Sequence, residues 1–205
     1  MGGGVLPTTI HNGKLYFLFG KEGQYEDTAR GFSDFGGGTD NNEKLIETAA
    51  REGSEELTGF LGDRAEIYKM LRSHGTYNID YKDKDTKFDT YRTHIFPFQY
   101  NYFLPHYYNN NQRFLQKKLS PEIFKTTTIF EKIEIRWVSI DELKEMRPKF
   151  RFWYRNIVDK ILAEKQQIIS FIKKSMNKKS MKKKTIKNRT KKNRTKKSKT
   201  KWFIF

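Results

Sequence analysis

Cysteine is absent from this 205-residue chain, so it has neither disulfides nor a cysteine-based metal site or nucleophile. No run of about 18 apolar residues occurs, so no segment is expected to span a membrane. Residues 1 to 6 lack the charged and then apolar layout of a signal peptide, and Leu6 stands where a myristoylation signal has Ser or Thr. The four histidines form no short-range pair, which gives zinc no support. These absences fit an intracellular protein best.

The formal net charge of +17 is concentrated at one end of the chain. Residues 173 to 201 contain 16 Lys and Arg and no acidic residue, which leaves 25 basic against 24 acidic residues elsewhere. Like charges at this density repel one another, and little apolar surface is available for burial. The sequence therefore predicts a nearly neutral domain at 1–172, followed by a disordered tail at 173–205.

The tail is a candidate nucleic-acid-binding segment, because lysine and arginine attract phosphates whatever the base sequence. A nuclear-targeting or solubilising role is an equally good interpretation of such a run. The candidate binding residues are Lys182, Lys183, Lys184, Arg189, Lys191, Lys192, Arg194, Lys196 and Lys197.

Strands and helices are predicted to alternate, which favours a mixed sheet covered by helices. Apolar runs predict strands at 14–19, 67–73, 91–100 and 133–138, and residues 101 to 130 look irregular, with a loop tip at Asn109–Asn111. A helix is expected at about 44–58. Ser139 and Glu142 form a capping box at the start of a short helix, and apolar residues at helical spacing predict a last helix over 150–172.

The helix at 44–58 has two distinct faces. At about 100° per residue, Glu52, Glu55 and Glu56 share an arc of about 100°, while small apolar residues form the face that packs on the sheet. Three crowded carboxylates repel one another, and a divalent cation is the usual relief. A solvated acidic surface is the simpler interpretation of a helix of this kind.

The spacing of six residues favours the metal site. Gly37, Glu43, Arg51, Glu52, Glu55 and Glu56 match the box of the Nudix hydrolases, G-x5-E-x7-R-E-U-x-E-E-x-G-U, in which U is aliphatic. At usages of roughly 5–7% per residue, such a match arises by chance about once in 10⁵ chains of this length. The Gly36–Gly37 pair, an apolar first strand and the run at 133–143 are similar to the same family, and the resemblance covers about residues 5 to 165.

The resemblance implies an α/β/α sandwich and a metal-dependent hydrolase of phosphoanhydride bonds. Glu52, Glu55 and Glu56 match the acids that bind Mg²⁺ or Mn²⁺. Arg51 and Glu43 match the pair that orients those acids, and Gly37 matches the turn that lets the backbone approach. In several Nudix enzymes an acid from another segment is the general base, and Glu131 and Glu134 are the candidates here.

Three positions depart from the family pattern, and none is a proposed ligand. Gly53 replaces an aliphatic residue, Phe35 stands in place of a proline, and Gly59 comes one residue late. A glycine within a helix costs about 1 kcal/mol relative to alanine. Because Gly53 lies midway along the packing face, we expect an unusually close approach of the helix to the sheet.

The substrate is not determined by the box. Residues 100 to 115 supply Tyr102, Phe103, Tyr107 and Tyr108, which could stack on a base or a cap guanine, although local core packing is the simpler interpretation. The sequence of residues 35–62 resembles that of the Nudix proteins of large cytoplasmic DNA viruses, which include mRNA-decapping enzymes and diphosphoinositol polyphosphate hydrolases. That resemblance implies a cytoplasmic location in the host cell or viral factory, while the basic tail leaves a nuclear one open.

Three hypotheses follow from the sequence. The leading one is hydrolysis of capped RNA, which releases m7GDP. The second keeps the enzyme but gives it diphosphoinositol polyphosphates or nucleoside diphosphate derivatives as substrates. The third is a non-catalytic RNA-binding protein on a Nudix frame, which the presence of all three box glutamates disfavours.

Overall fold

The computed structural model describes residues 1–23, 30–82, 90–120, 122–123, 127 and 130–177. Seven strands form one mixed sheet. They are β1 (Gly2–His11), β2 (Lys14–Glu22), β3 (Phe32–Ser33), β4 (Phe35–Gly38), β5 (Tyr77–Tyr81), β6 (Tyr91–Pro97) and β7 (Lys132–Ser139). The helices are α1 (Leu45–Glu56), α2 (Arg64–His74), α3 (Leu104–Lys118), α4 (Ile140–Met146), α5 (Arg155–Ala163) and a helical segment at 165–177.

The sheet separates two layers of helices. Successive residues of a strand point to opposite faces, and accordingly Val5 packs in one hydrophobic cluster with α1, α2 and α3, whereas Leu6 packs in the other with α4, α5 and the segment 165–177. The expected α/β/α sandwich is confirmed. Within the part of the chain that the structure describes, no helix is long and apolar enough to cross a membrane.

Strand β1 lies at the centre of the sheet, yet its sequence does not look like a strand. Its first half lies between β4 and the parallel strand β6, and its second half lies between β2 and β6. Pro7, which has no N–H to donate, falls between the pairs Val5–Phe35 and Thr8–Phe17, where β1 changes antiparallel partners. The strand therefore tolerates a proline that usually argues against a central position.

Glycines at the start of β1 allow α1 to approach it. A Cβ atom on Gly3 would lie 2.5 Å from the carbonyl oxygen of Leu45, at the start of α1. A Cβ atom on Gly53 would lie 2.5 Å from Cγ2 of Val5. Both distances are too short for real carbon contacts. The close approach predicted from Gly53 is confirmed.

Two predictions about secondary structure are wrong. Residues 67–73 belong to helix α2, because Asp63 and Glu66 cap its first turn reciprocally, with Glu66 N donating to Asp63 Oδ1 at 2.8 Å, and Ile67 and Leu71 bury one helical face. Half of the segment predicted as irregular is helix α3, which buries Leu104, Tyr108 and Gln112 at intervals of four residues.

The predicted loop tip at Asn109–Asn111 lies within α3. Asn109 Nδ2 donates to the carbonyl oxygen of Ile135 at 3.1 Å, and the Ile135 N–H donates to Asn109 Oδ1 at 2.7 Å. The two hydrogen bonds occupy the outer edge of β7. An asparagine run that usually interrupts a helix is therefore tied to the sheet.

The C-terminal predictions are largely confirmed. Ser139 N donates to Glu142 Oε2 at 2.9 Å in the capping box of α4. Strand β7 contains the predicted strand at 133–138, and β6 ends three residues before the predicted limit at Tyr100. The last helix, predicted from about Phe150, begins only at Arg155. It is interrupted at Glu164, which accepts a hydrogen bond from Tyr77 Oη at 2.5 Å, and helix then continues to residue 177.

The contact between Gly53 and Val5 yields a prediction about stability. We expect Gly53→Ala to lower the free energy of unfolding by about 1–3 kcal/mol, because the stiff Val5 side chain cannot give way. In a Val5→Ala background the same change should be neutral or stabilising, because alanine favours helix by about 1 kcal/mol. Urea unfolding of the four proteins checks this. A loss of equal size in both backgrounds would contradict the contact.

Candidate active site

The helix α1 carries its acids to the end of the sheet where β4 finishes in three glycines. A Cβ atom on Gly37 would lie 2.4 Å from Oε1 of Glu52, so only glycine lets that carboxylate approach the strand. Gly36 is equally confined, since its Cβ atom would lie 2.3 Å from Cα of Gly4. Gly59 has another role: its φ of +75° belongs to the turn after α1.

Arg51 connects the carboxylates on one side of this site. Its Nη1 lies 2.9 Å from Glu52 Oε1, and its Nη2 donates to Glu43 Oε2 at 3.2 Å and to the Gly38 carbonyl oxygen at 2.8 Å. Burial raises the pKa of Glu43, but the hydrogen bonds and charge of Arg51 outweigh this and hold it below the ordinary value. Arg51 therefore links Glu43 to Glu52, and the orienting role that the resemblance implied for this pair stays a prediction.

Three carboxylates from two segments meet beside Gly37. Glu52 and Glu56 come from α1, and Glu131 comes from the residues just before β7. One oxygen atom from each lies within 4.8 Å of the others. Glu56 is 5% exposed, and its Oε2 is buried without a hydrogen-bond partner among the residues that the structure describes.

Burial dominates the electrostatics of Glu56. It raises the pKa of Glu56 well above the ordinary value, Lys132 opposes this, and the nearby carboxylates of Glu22 and Glu131 add to it. Burial also raises the pKa of Glu52, against the opposing effect of Arg51. The two acids thus lie where negative charge is costly without a cation.

The site suits a hard divalent cation. Its donors are all carboxylate oxygens, which Mg²⁺ prefers, and their mutual distances allow shared coordination. The partnerless oxygen of Glu56 is an independent sign, because buried polar atoms in proteins are nearly always bonded. The residues present therefore fit the metal that the resemblance implied.

The remaining predicted acids lie elsewhere. Glu55 is not one of the three clustered acids, and its half-exposed carboxylate lies 3.3 Å from Arg51 Nη1. Glu134 pairs with Lys21 at 3.7 Å across β7 and β2, and both side chains are substantially exposed. Of the two candidate bases, the structure brings only Glu131 to the acids of α1.

Lys132 is the residue that the sequence interpretation missed. Its side chain is fully buried, and its ammonium contacts Glu22, lies 3.3 Å from Glu56 Oε1 and donates to Ser33 Oγ at 2.9 Å. Glu22 also accepts from Arg151 Nη1 at 2.7 Å. In the sequence, Lys132 is indistinguishable from a surface lysine at the start of a strand, because its partners are far away along the chain.

The predicted stacking residues fall into two groups. Tyr102, Phe103 and Tyr107 are 72%, 56% and 58% exposed at the start of α3. Tyr108 is fully buried, and its Oη donates to the carbonyl oxygens of Glu56 and Lys132. The prediction that Tyr108 stacks on a base is therefore wrong. Adjacent residues of a helix point about 100° apart, so Tyr108 faces the core while Tyr107 faces solvent.

The candidate nucleic-acid-binding residues of the tail, Lys182 to Lys197, lie outside the described residues. Nucleic-acid binding by this segment stays a prediction from its charge.

The buried lysine yields a prediction about stability and pH. At pH 7 we expect Lys132→Met to lower the free energy of unfolding by about 3–5 kcal/mol, because Glu22 and Glu56 lose their shared cation. Without that cation the folded state holds the two pKa values above those of the unfolded chain. The deficit should therefore shrink as the pH falls toward about 4, where both carboxyls are protonated.

Urea unfolding at several pH values measures this deficit. Lys21→Met, at the exposed pair with Glu134, is the matched control and should cost less than about 1 kcal/mol. A Lys132→Met deficit that does not change with pH would show that lost packing, and not charge, sets the cost.

Comparison with known proteins gives likenesses in structure alone. No protein-family model and no curated protein matches the chain. The Nudix hydrolase RenU from M. smegmatis is 13% identical, with 82% of this chain and 86% of that chain covered and a TM-score of 0.49. An Ap4A hydrolase from C. elegans is 13% identical, with 83% and 98% covered and a TM-score of 0.49. The MutT protein of Methanosarcina mazei Go1 is 16% identical, with 80% and 93% covered and a TM-score of 0.46.

Proposed function

We propose that this protein hydrolyses a phosphoanhydride bond with a divalent cation bound by Glu52 and Glu56, beside the carboxylate of Glu131. The observation that carries the proposal is the buried, partnerless Oε2 of Glu56 within a cluster of three carboxylates. An acid that only solvates a helix face would be exposed, whereas Glu56 is buried. The ion pair with Lys132 accounts for Oε1, which lies 3.3 Å from the ammonium, but not for the buried Oε2.

The chain contributes position and charge to this reaction. Gly36 lets β4 lie against Gly4, and Gly37 lets the Glu52 carboxylate lie directly on β4, which fixes where that acid can act. Arg51 fixes Glu52 from one side, and Lys132 fixes Glu56 from beneath. When bound, Mg²⁺ or Mn²⁺ would polarise phosphate oxygens and ease the deprotonation of water.

Glu131 is the proposed general base. It comes from a segment outside α1, as the resemblance implied, and it lies close to both clustered acids of that helix. From there its carboxylate can take the proton of a water that attacks phosphorus. Glu55, held by Arg51 at the rim, stays a proposed second contributor to metal binding.

The acids provide the direct test of this chemistry. We expect Glu56→Gln to abolish metal-dependent hydrolysis, and Glu131→Gln to lower kcat by about 10²- to 10⁴-fold, the usual contribution of a general base. Glu134→Gln is the matched control on the same stretch of chain and should retain activity. Release of nucleotide products from dinucleoside polyphosphates, and of m7GDP from capped RNA, measures all three.

An unchanged activity in Glu56→Gln would instead favour a non-catalytic RNA-binding protein. A large loss of activity in Glu134→Gln, with full activity in Glu131→Gln, would assign the role of general base to Glu134. Urea unfolding of each variant separates lost chemistry from lost folding.

For the substrate we propose capped RNA, cleaved to m7GDP and RNA with a 5′-monophosphate. The support is the division of charge, since a nearly neutral domain needs the basic tail to attract a long polyanion. Diphosphoinositol polyphosphates and nucleoside diphosphate derivatives are the alternative. The phosphates of these small substrates would bind the cation at the clustered acids directly, without the tail.

A tail variant distinguishes the two substrate classes. We expect replacement of the nine candidate residues between Lys182 and Lys197 by glutamine to lower kcat/KM on capped RNA by tenfold or more at about 50 mM salt. The loss should fade at higher salt, where the cations of the wild type are screened. Turnover of small diphosphates should stay unchanged, and product analysis should show m7GDP. Absence of m7GDP from cap-labelled RNA, with turnover of diphosphoinositol polyphosphates, would select the alternative.

A further inference from the structure

The outer face of α3 combines exposed aromatic rings with lysines. Phe103, Tyr107 and Phe114 are 56%, 58% and 59% exposed. At about 100° per residue these rings fall within about 40° of one another, and Lys117 and Lys118 extend the same stripe to the end of the helix. The opposite face holds the buried Leu104, Tyr108 and Gln112.

Soluble domains seldom expose large apolar side chains in a cluster, and such a cluster usually marks a binding surface. Residues 101 to 121 contain no Asp or Glu, although 24 acids occur in the chain. Lys117 and Lys118 are both exposed, as is Arg113 beside the stripe. A surface with rings, cations and no acid is complementary to a partner with phosphates and flat bases.

The inner contacts of α3 give this face a direction. Trp137 Nε1 donates to the Asn101 carbonyl oxygen at 3.0 Å, and Asn109 bonds to Ile135. Tyr108 bonds to the carbonyl oxygen of Lys132, next to Glu131. The helix therefore runs antiparallel to β7. Tyr108 lies level with Glu56 and Lys132, and the basic C-terminal half extends past Lys132 in the direction in which Glu131 precedes that strand.

We infer that the outer face of α3 binds single-stranded RNA and leads it to the site. The strand lies along about 22 Å of helix from Phe103 to Lys118. Lys117 and Lys118 contact phosphates near the acids, and bases stack on Phe114, Tyr107 and Phe103 farther away. The inference rests on the proposed function in one respect, namely that the substrate is RNA. Stacking does not depend on base identity, so the surface accepts any sequence.

The test uses the full chain and a fluorescein-labelled RNA of 20 nucleotides with a 5′-monophosphate, which is the proposed product and is not consumed. We expect the triple variant Phe103→Ala, Tyr107→Ala and Phe114→Ala to bind it tenfold or more weakly at about 0.3 M salt, where contacts with the tail are screened. Affinity for an RNA duplex, whose bases are already stacked, should change less than twofold. Phe152→Ala, at an 80% exposed phenylalanine before α5, is the control and should bind like the wild type.

Other outcomes overturn the inference. Unchanged affinity for single strands, or an equal loss for single strands and duplex, would remove stacking on α3. A wild-type dimer that becomes a monomer in the triple variant, seen by light scattering, would assign the face to contact between copies. Turnover of small diphosphates is measured in parallel. If the wild type turns over none, the proposed chemistry has failed, while the binding comparison still decides the role of α3.

Discussion

The backbone of α1 can lie directly on the sheet only because glycines occupy both sides of the contact. Gly3 meets the start of the helix, Gly53 meets Val5, and Gly37 meets Glu52. Each contact is too close for a Cβ atom, so the helix has one position along the strands. The clustered carboxylates depend on that position, because Glu52 and Glu56 lie on the helix whereas Glu131 comes from the segment before β7. The position of α1, and with it that of Glu52 and Glu56, is therefore set by glycines that have no side chain at the contact with the sheet.

A second constraint is the charge buried under the acids. Lys132 lies between Glu22 and Glu56, and Arg151 adds another cation to Glu22. Buried ion pairs seldom add stability beyond an apolar core, but the loss of one partner is costly. Here Lys132 engages Oε1 of Glu56, and Oε2 stays buried without a hydrogen-bond partner among the described residues. Under the proposed function, this arrangement holds Glu56 in place as a metal ligand, which is a reason for its cost in stability to be tolerated.

The sequence allowed prediction of what depends on local spacing. The faces of α1, the Arg51–Glu43 pair and the close approach at Gly53 all follow from helical geometry and a fixed interval between residues. The Asp63–Glu66 capping box was also readable. Without that capping box, residues 67–73 were predicted as a strand, because a short apolar run fits the period of a strand as well as that of a helix. Tyr108 could have been separated from Tyr107 only once α3 was known to be a helix.

Other features depend on contacts that no local pattern records. Strand β1 begins with glycines and contains Pro7, and only its three strand partners explain why it is central. Lys132 and Glu22 are 110 residues apart, and their pairing follows from the antiparallel alignment of β2 with β7. Glu131 lies beside Glu52 and Glu56 because it directly precedes β7, whose place in the sheet is likewise set by contacts distant in the sequence. Its position beside β7 suggested it, but nothing in the sequence distinguished it from Glu134.

The two hydrogen bonds between Asn109 and Ile135 have a consequence for assembly. Strand β7 is an edge strand, and free backbone groups on such an edge invite pairing with another chain. The side chain of Asn109 occupies both groups of Ile135, and Tyr108 occupies the carbonyl of Lys132. Helix α3 thus acts as a substitute strand that protects this edge from sheet-to-sheet aggregation. One face of the helix covers the edge of the sheet, so the outer face can serve another role without exposing unpaired backbone groups.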